Sequence, residues 1–228
     1  MSRFARVVAP GYPHHITQRG NRRQKTFFND GDFKLYLRLM KEWCDKFGVE
    51  IWSYCLMQNH VHLVAVPRDE AGLGRALGMA HWHYTRLINA REGWKGCLWQ
   101  GRFASYLMDE AYLCAAVRYI EYNPVRAALV AHPCEYPWSS VHSRLSGQPD
   151  SLACPATRLN EILSRRGALA DWDLKNEEIN RIKKHSSTGR PLGGEEFVAA
   201  LEGRLGRKLV KQRPGPKPGK MELSSVSL

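Results

Sequence analysis

The order of apolar and polar residues predicts alternating strands and helices over the first half of the chain. Residues 12–18 fit a first strand, and the apolar positions between Asp32 and Phe47 recur at helical spacing. Asp30 or Asp32 is placed to cap that helix, and Gly48 is placed to end it. A short, strongly basic turn is therefore expected between the first strand and the first helix.

A hairpin follows, in which VEIWSYCLM (49–57) and HVHLVAVP (60–67) form strands joined by a turn at Gln58 and Asn59. The next predicted elements are a helix over 72–92, a strand over 102–108 and a helix over 110–123, which Pro124 stops. Hairpin strands mixed with helices predict an α+β domain, an antiparallel sheet with helices packed on it.

The pattern weakens after Pro124. SGQPDS (146–151) is typical of a linker, and short helices are expected within 157–184 and 194–206. We therefore predict one domain over 1–147 and a basic extension over 148–228. The extension includes KQRPGPKPGK (211–220), a flexible segment that contacts DNA or, alternatively, serves as a solubilising tail.

Composition narrows the class of protein. The chain has 228 residues, of which 43% are hydrophobic, so it can form a sizeable core. It contains no run of eighteen apolar residues, which argues against a membrane span, and no apolar stretch typical of a secretory signal near its start. Six single cysteines without a C-x-x-C pair argue against a zinc ribbon and favour reduced thiols in the cytoplasm.

Positive charge is concentrated near the two ends of the chain. The formal net charge is +12; residues 1–29 carry +6 and residues 181–220 carry +8, so the rest sums to −2. A surplus of this size suggests a polyanionic partner, most often nucleic acid, although ribosomal and membrane-surface proteins share the feature. Blocks of one sign are more typical of phosphate contacts than of a solvated face.

The candidate chemistry centres on two histidines in the second hairpin strand. His60 and His62 are two residues apart on a predicted strand, so their side chains project to the same face, and those of Val61 and Leu63 to the other. Two adjacent imidazoles form half of a divalent metal site. The alternative is a pair of histidines without a ligand, which an isolated H-x-H pair does not exclude.

A second candidate feature lies in RYIEYNPVRAALV (118–130). Tyr119 and Asn123 are four residues apart and share one face of the predicted helix. A phenol and a carboxamide over two histidines would combine a nucleophile, a further ligand and a metal. Tyr119 as an aromatic residue buried against the sheet is an equally good interpretation of the spacing alone.

Several motifs in one order resemble the single-tyrosine HUH transposases, and within them the REP-associated tyrosine transposases. The resemblance covers roughly residues 10–145. It rests on the H-hydrophobic-H pair and the Tyr-x-x-x-Asn spacing, and on the segments HHITQRGNRRQ, CLMQNHVHLV, LWQGRFASYLMDE, YIEYNPVRAALV and YPWSS. It implies the HUH endonuclease fold, which is similar to ferredoxin and RRM domains.

The resemblance also implies residue roles. Tyr119 is the expected nucleophile, with Tyr122 as the rival, and His60, His62 and Asn123 are the expected ligands of Mg²⁺ or Mn²⁺. Many relatives outside the REP-associated branch have Gln where this chain has Asn123, which is shorter but still offers an amide oxygen. The residues expected to bind nucleic acid are Arg19, Arg22, Arg23, Lys25, Arg102, Arg213 and Lys217.

The implied activity is cleavage and rejoining of single-stranded DNA, in REP-like hairpins, through a 5′-phosphotyrosine intermediate. The resemblance implies a cytoplasmic, nucleoid-associated bacterial protein that is a monomer or a homodimer and has no membrane partner. Two rival functions stay open at this stage. One is a non-catalytic protein that binds DNA or RNA hairpins, and the other is a metal-dependent hydrolase in which water attacks.

Overall fold

The structure is a computed structural model that describes residues 5–155, 157–168 and 174–211. In chain order its elements are β1 (His14–Arg19), α1 (Asp30–Lys46), β2 (Val49–Met57), β3 (His60–Pro67), α2 (Gly72–Glu92), β4 (Ala104–Leu107), α3 (Glu110–Glu121), α4 (Asn123–Arg126), α5 (Val141–Ser146), α6 (Thr157–Arg165), α7 (Asn176–Thr188) and α8 (Glu195–Leu205). The predicted hairpin and the helix over 72–92 are confirmed.

The four strands form one antiparallel sheet in the order β2-β3-β1-β4. Strand β3, which carries both candidate histidines, is therefore an interior strand between β2 and β1. In the β1–β3 register, His15 lies opposite Val64 and Thr17 opposite His62. Together with the helices packed on the sheet, this confirms the predicted α+β fold.

Strand alternation assigns the two faces of the sheet to two separate hydrophobic clusters. Ile16, Val61 and Leu63 face α1 and α2, whereas Val64 and Tyr106 face α3. Because residues two apart share a face of a strand, the side of the sheet covered by α3 is the side that receives His60 and His62. The predicted separation of the two histidines from Val61 and Leu63 is confirmed.

The N-cap of helix α1 precedes both of its predicted caps. Asn29 is the N-cap, and its side-chain oxygen accepts a hydrogen bond from the backbone N–H of Asp32. The carboxylate of Asp32 accepts from the backbone N–H of Phe28 at 2.8 Å and forms an ion pair with Arg91 at the end of α2. The prediction of Asp30 or Asp32 as the cap was wrong, while Gly48, with φ of +62°, ends the helix as predicted.

The helix predicted over 110–123 is interrupted before its end. Helix α3 ends at Glu121, Tyr122 leaves the helical conformation with φ −84° and ψ 0°, and Asn123 begins the separate short helix α4. Pro124 occupies the first turn of α4, where the missing N–H has no intrahelical acceptor to lose. The proline therefore starts a new turn, and Tyr119 and Asn123 do not belong to one continuous helix.

The YPWSS motif protects the exposed edge of β2. The Tyr136 hydroxyl donates to the carbonyl of Leu56 at 2.8 Å, and the backbone N–H of Ser140 donates to the carbonyl of Tyr54 at 3.1 Å. The hydroxyl of Ser140 accepts from the backbone N–H of Tyr54 at 2.9 Å. These bonds satisfy backbone groups that an edge strand would otherwise leave open for pairing with another chain.

The segment beyond residue 147 contacts the sheet and α3. Leu163 of α6 and Ile182 of α7 are fully buried in the cluster beneath α3. The backbone N–H of Leu192 donates to the backbone carbonyl of Leu107, the last residue of β4. The division at residue 147 stays a prediction. Within the described ranges, no helix has the length and apolar character required to cross a bilayer.

Candidate active site

The two histidines of β3 lie together on the face of the sheet that α3 covers. The ring centroids of His60 and His62 are 5.0 Å apart, and the ring planes are nearly perpendicular, at 83°. His62 is buried and His60 is half-buried at the rim of a cleft that both side chains line. The strand therefore presents both imidazoles to one space.

The carboxamide of Asn59 orients His60. Nδ1 of His60 lies 2.7 Å from the side-chain oxygen of Asn59, whose own Nδ2 donates to the backbone carbonyl of Arg23 at 3.1 Å. Because an amide oxygen can only accept, Nδ1 of His60 carries the proton and Nε2 keeps a free lone pair. The same carboxamide links this histidine to the basic turn after β1.

A second histidine orients His62. Nδ1 of His62 lies 3.0 Å from Nε2 of His15, and Nδ1 of His15 lies 2.7 Å from the hydroxyl of Tyr106. If each ring donates its Nδ1 proton along this series, Nε2 of His62 is left as an acceptor. Ser186 of α7 interacts with the hydroxyl of Tyr106, so the series reaches from β3 across the sheet to the C-terminal region.

Burial keeps both candidate ligands uncharged. Desolvation, with a smaller contribution from the charge of Arg19, lowers the pKa of His60 to about 4. Burial lowers the pKa of His62 well below its ordinary value, and the neighbouring His15 and His60 lower it further. At neutral pH both rings are therefore neutral, which is the form that binds a metal ion.

Tyr119 lies beside these histidines near the end of α3. Its ring centroid is 5.5 Å from that of His62 and 6.2 Å from that of His15, and its side chain also lines the cleft. The guanidinium of Arg126 lies over the Tyr119 ring, 4.0 Å from the centroid, and donates to the Tyr119 carbonyl at 2.9 Å. Arg126, the last residue of α4, thus places its positive charge against the Tyr119 ring.

Tyr122, the rival nucleophile, faces a different space. It lines a separate cleft of about 420 Å³ together with Arg126, His132 and Ile179, and His60 and His62 are not part of that cleft. Of the two tyrosines, Tyr119 alone shares a cleft with the histidines among the described residues.

Asn123 does not join His60, His62 and Tyr119 in lining the cleft. It is buried at the start of α4, after the break at Tyr122 that separates it from α3. Within the described residues, no group of three His, Cys, Asp or Glu side chains is arranged to hold a metal ion. The part of the predicted set that shares the cleft is therefore His60, His62 and Tyr119.

The histidine cleft has a volume of about 520 Å³ and a cationic lining. The charged residues that line it are Arg6, Arg19, Arg102 and Lys183, and in the described structure no acidic residue lines it. Unpaired cations in a confined space attract anions such as DNA phosphates. Of the predicted DNA-binding residues, Arg19 and Arg102 thus lie at the site.

Three more of the predicted DNA-binding residues lie on the turn after β1. Arg22, Arg23 and Lys25 are exposed on the turn after β1 and do not line the cleft. Arg22 and Arg23 have positive φ angles of 51° and 62°, which are uncommon for residues other than glycine. Arg213 and Lys217 lie outside the described residues.

Sequence reasoning missed His15, Tyr106 and Arg126, as well as Arg6 and Lys183. The alternation of β1 was the available signal for His15, because it places His15, Thr17 and Arg19 on the same face of the strand. Arg126 lies within the NPVRA run, but nothing in that run indicates contact with Tyr119. Lys183 is more than sixty residues from every cleft residue that precedes it in the chain, and no local pattern indicates its position.

The donor set fits a divalent ion in part. Two neutral imidazoles, each held through Nδ1, offer two Nε2 lone pairs toward one cleft, and hydrogen bonding of the remote ring nitrogen is the usual arrangement around metal-binding histidines. Two nitrogen donors suit Mn²⁺ better than Mg²⁺, which prefers oxygen. The remaining positions would require an amide, water or phosphate oxygen.

Comparisons with known proteins find a matching family, a related sequence and a related fold. A family model described as IS200-like transposase matches residues 10–123, half of the chain. A protein of Haemophilus influenzae, named provisionally as a REP-associated tyrosine transposase, is 24% identical over 155 residues, 62% of this chain and 86% of that protein. A solved structure of a REP-associated tyrosine transposase bound to a REP hairpin matches 68% of this chain and 92% of its own, with a TM-score of 0.56 and 19% identity. The predicted resemblance is confirmed.

Proposed function

Because this chain belongs to the family of IS200-like transposases, we propose that it cleaves and rejoins single-stranded DNA through a covalent bond to Tyr119. One observation carries the proposal: the phenol of Tyr119 shares a single cleft with the imidazoles of His60 and His62, and the charged residues of that cleft are cations. A nucleophile, nitrogen donors and an anion-binding lining are the groups that phosphodiester transesterification requires.

The proposed reaction exchanges one ester of phosphate for another. The phenolic oxygen of Tyr119 attacks the phosphorus in line, an O–P bond forms, and the bond from phosphorus to the 3′-oxygen breaks. The phenolic proton passes to solvent and the departing 3′-oxygen is protonated, which leaves a 5′-phosphotyrosine. Attack by a later 3′-hydroxyl reverses the exchange and reseals the strand, so no nucleotide hydrolysis is needed.

Two arginines support the negative charge that forms on the phenolic oxygen. Arg126 lies over the Tyr119 ring, and Arg19, half-buried in the same cleft, interacts electrostatically with Tyr119. Desolvation lowers the pKa of both arginines, while the charge of Tyr119 acts in the opposite direction. Such preplaced cations stabilise an anion without reorganisation during the reaction.

His60 and His62 are the residues that would hold a divalent ion through Nε2. Asn123 stays the proposed third protein ligand, although its side chain does not line the cleft in this structure. Such an ion would neutralise charge on the non-bridging oxygens of the phosphate. Burial keeps both imidazole rings neutral, and contacts with Asn59 and His15 hold the rings of His60 and His62 in place, as metal binding would require.

The proposed substrate is a hairpin of the REP type with a single-stranded flank. The REP hairpin bound in the matched solved structure supports this choice. The exposed basic turn with Arg22, Arg23 and Lys25 adjoins His60 through Asn59, and we assign it to the phosphate backbone of the hairpin. The same role is proposed for Arg213 and Lys217.

Denaturing electrophoresis with end-labelled oligonucleotides tests the proposal. In the presence of Mn²⁺, a 3′-labelled hairpin substrate should give a labelled protein band that survives SDS, whereas a 5′-labelled substrate should give a shortened free fragment. Tyr119→Phe should abolish the adduct and retain DNA binding. Tyr122→Phe is the matched control and should retain the adduct.

The rival functions predict different bands. Free fragments from both labels without any adduct would support hydrolysis by water. Binding without cleavage by the wild-type protein would support a hairpin-binding regulator. An adduct that survives Tyr119→Phe and disappears with Tyr122→Phe would transfer the nucleophile to Tyr122 and contradict the assignment.

A further inference from the structure

Helix α7, from the C-terminal region, forms a wall of the catalytic cleft. Lys183, Ser186 and Ser187 line the same cleft as His60 and Tyr119, although they are more than sixty residues away in sequence. The region therefore contributes side chains to the site itself, in addition to its net charge.

The position of α7 is fixed by contacts with the core. Ile182 is fully buried in the cluster beneath α3, and Arg118 of α3 forms an ion pair with Glu178 of α7 at 3.3 Å. Ser186 interacts with the hydroxyl of Tyr106. Because Lys183 directly follows Ile182, burial of that isoleucine determines where the lysine side chain begins.

Two arginines approach the cleft from the N-terminal segment and from the loop before β4. Arg6 lies 3.5 Å from the centroid of the Phe103 ring and donates to the Phe103 carbonyl at 3.0 Å. Burial, together with the nearby charge of Arg102, lowers the pKa of Arg6 to about 10. Two cations that repel each other in a cleft whose described lining is free of acids would be stabilised by a bound anion.

Lys183 is an available cation at the same cleft. Its side chain is exposed, and none of the ion pairs found among the described residues includes it. Lys184 is also exposed on the same helix but does not line the cleft. The chain thus offers two adjacent lysines, of which one belongs to the site.

We propose that Lys183 of α7, together with Arg6 and Arg102, forms a second phosphate subsite for the DNA strand that continues from the cleavage position. This inference rests on the proposed function, since it assigns a neighbouring phosphate of the same substrate. The subsite would hold the single-stranded flank beside Tyr119 and would make the C-terminal region part of substrate recognition.

Equilibrium binding tests the subsite without cleavage. The probe is a fluorescent REP-type hairpin oligonucleotide with a single-stranded flank, titrated over a salt series with Tyr119→Phe protein. Adding Lys183→Ala should weaken binding roughly 3-fold to 10-fold and reduce the slope of log K against log salt by roughly 0.7, the value for one lost contact to a single-stranded phosphate. Adding Lys184→Ala should change neither quantity.

Neutral linkages locate the contact. A methylphosphonate placed at each flank phosphate in turn should weaken binding to the parent protein at one position, and at that position Lys183→Ala should cause no further loss. Equal behaviour of the two lysine variants, tighter binding after Lys183→Ala, or the absence of such a position would overturn the subsite. Equal unfolding temperatures of both variants would show that the fold is intact.

These readouts separate the two proposals. If the wild-type protein forms no covalent adduct, the proposed function fails, while the binding comparison still decides the role of Lys183. If the adduct forms and Lys183→Ala binds as tightly as Lys184→Ala, the proposed function stands and the subsite fails.

Discussion

Nε2 of His15 lies 3.0 Å from Nδ1 of His62, and the two rings are stacked with centroids 5.2 Å apart. The contact joins β1 to β3 across a diagonal of the sheet, since His15 lies opposite Val64 rather than opposite His62. It gives a buried candidate ligand one fixed orientation. It also makes His15 a positioning residue for His62 in the proposed function.

Replacing His15 should weaken metal binding. His15→Phe removes the partner of Nδ1 of His62, so the ring loses its orientation, and the affinity for Mn²⁺ should fall roughly 10-fold to 100-fold. Isothermal titration with Mn²⁺ in the absence of DNA measures this directly.

His14→Phe is the matched control for the loss of a buried imidazole. His14 is fully buried but contacts Tyr12 and Ala9 instead of His62, so this variant should retain Mn²⁺ affinity even if its stability falls. Equal Mn²⁺ affinities of His15→Phe and the wild-type protein would contradict the positioning role.

Two substitutions of Asn59 should separate its two hydrogen bonds. Asn59→Ala removes both the acceptor for Nδ1 of His60 and the donor to the carbonyl of Arg23, so Mn²⁺ affinity and hairpin binding should both fall. Asn59→Asp keeps an acceptor for His60 and loses the donor, so it should retain Mn²⁺ affinity and weaken hairpin binding alone. Mn²⁺ titration and anisotropy with a hairpin oligonucleotide measure the two effects, and equal Mn²⁺ affinities of the two variants would refute the separation.

Stability should fall as the pH is lowered from about 6.5 toward 4. Burial lowers the pKa of His81 to about 3, whereas the unfolded chain takes up that proton near the ordinary value of 6.5. Between these values the unfolded state binds more protons, so the free energy of unfolding decreases as pH falls. His81, on α2, contacts the hydroxyl of Tyr36 on α1 at 3.0 Å and does not itself line the cleft.

His81→Gln isolates this contribution. Urea unfolding of the variant should show a pH dependence that is shallower by about 1.4 kcal/mol per pH unit between pH 6 and 4, because one proton fewer is taken up. The difference from the wild-type protein at pH 8 reports the packing cost alone, since both states are then neutral at this position. A pH dependence equal to that of the wild-type protein would show that His81 is protonated in the folded state.

The ion pair between Glu121 and Arg144 should be a major contributor to stability. Both side chains are buried, and two hydrogen bonds of 2.7 and 2.6 Å join the end of α3 to α5. Glu121→Gln leaves a buried guanidinium without its counter-charge, and the free energy of unfolding should fall by about 3 kcal/mol. Urea denaturation measures the change.

The exposed pair of Lys41 and Asp45 provides the matched comparison. Its atoms are 2.7 Å apart but both side chains are exposed, so Lys41→Ala should cost under about 0.5 kcal/mol. Similar costs for Glu121→Gln and Lys41→Ala would contradict the buried-pair interpretation.

The sequence by itself determined the parts of the site that depend on local periodicity. Residues two apart on a strand share a face whatever the strand packs against, so the common orientation of His60 and His62 followed from the hairpin pattern. The bounds of the hairpin and of α2 followed from the same patterns and their turn residues. The resemblance to the family added the prediction that Tyr119 is the nucleophile.

Tertiary structure decided which distant side chains share the cleft. The contact of His15 with His62 depends on the β1–β3 register, the contact of Arg126 with Tyr119 depends on the break after α3, and the place of Lys183 depends on the burial of Ile182. The first and third contacts are set by packing between elements that are far apart in sequence, and the second by the turn geometry between two successive helices. Local sequence patterns determine whether a segment tends to form a helix or a strand. Which other elements that segment packs against depends on the free energy of the whole fold.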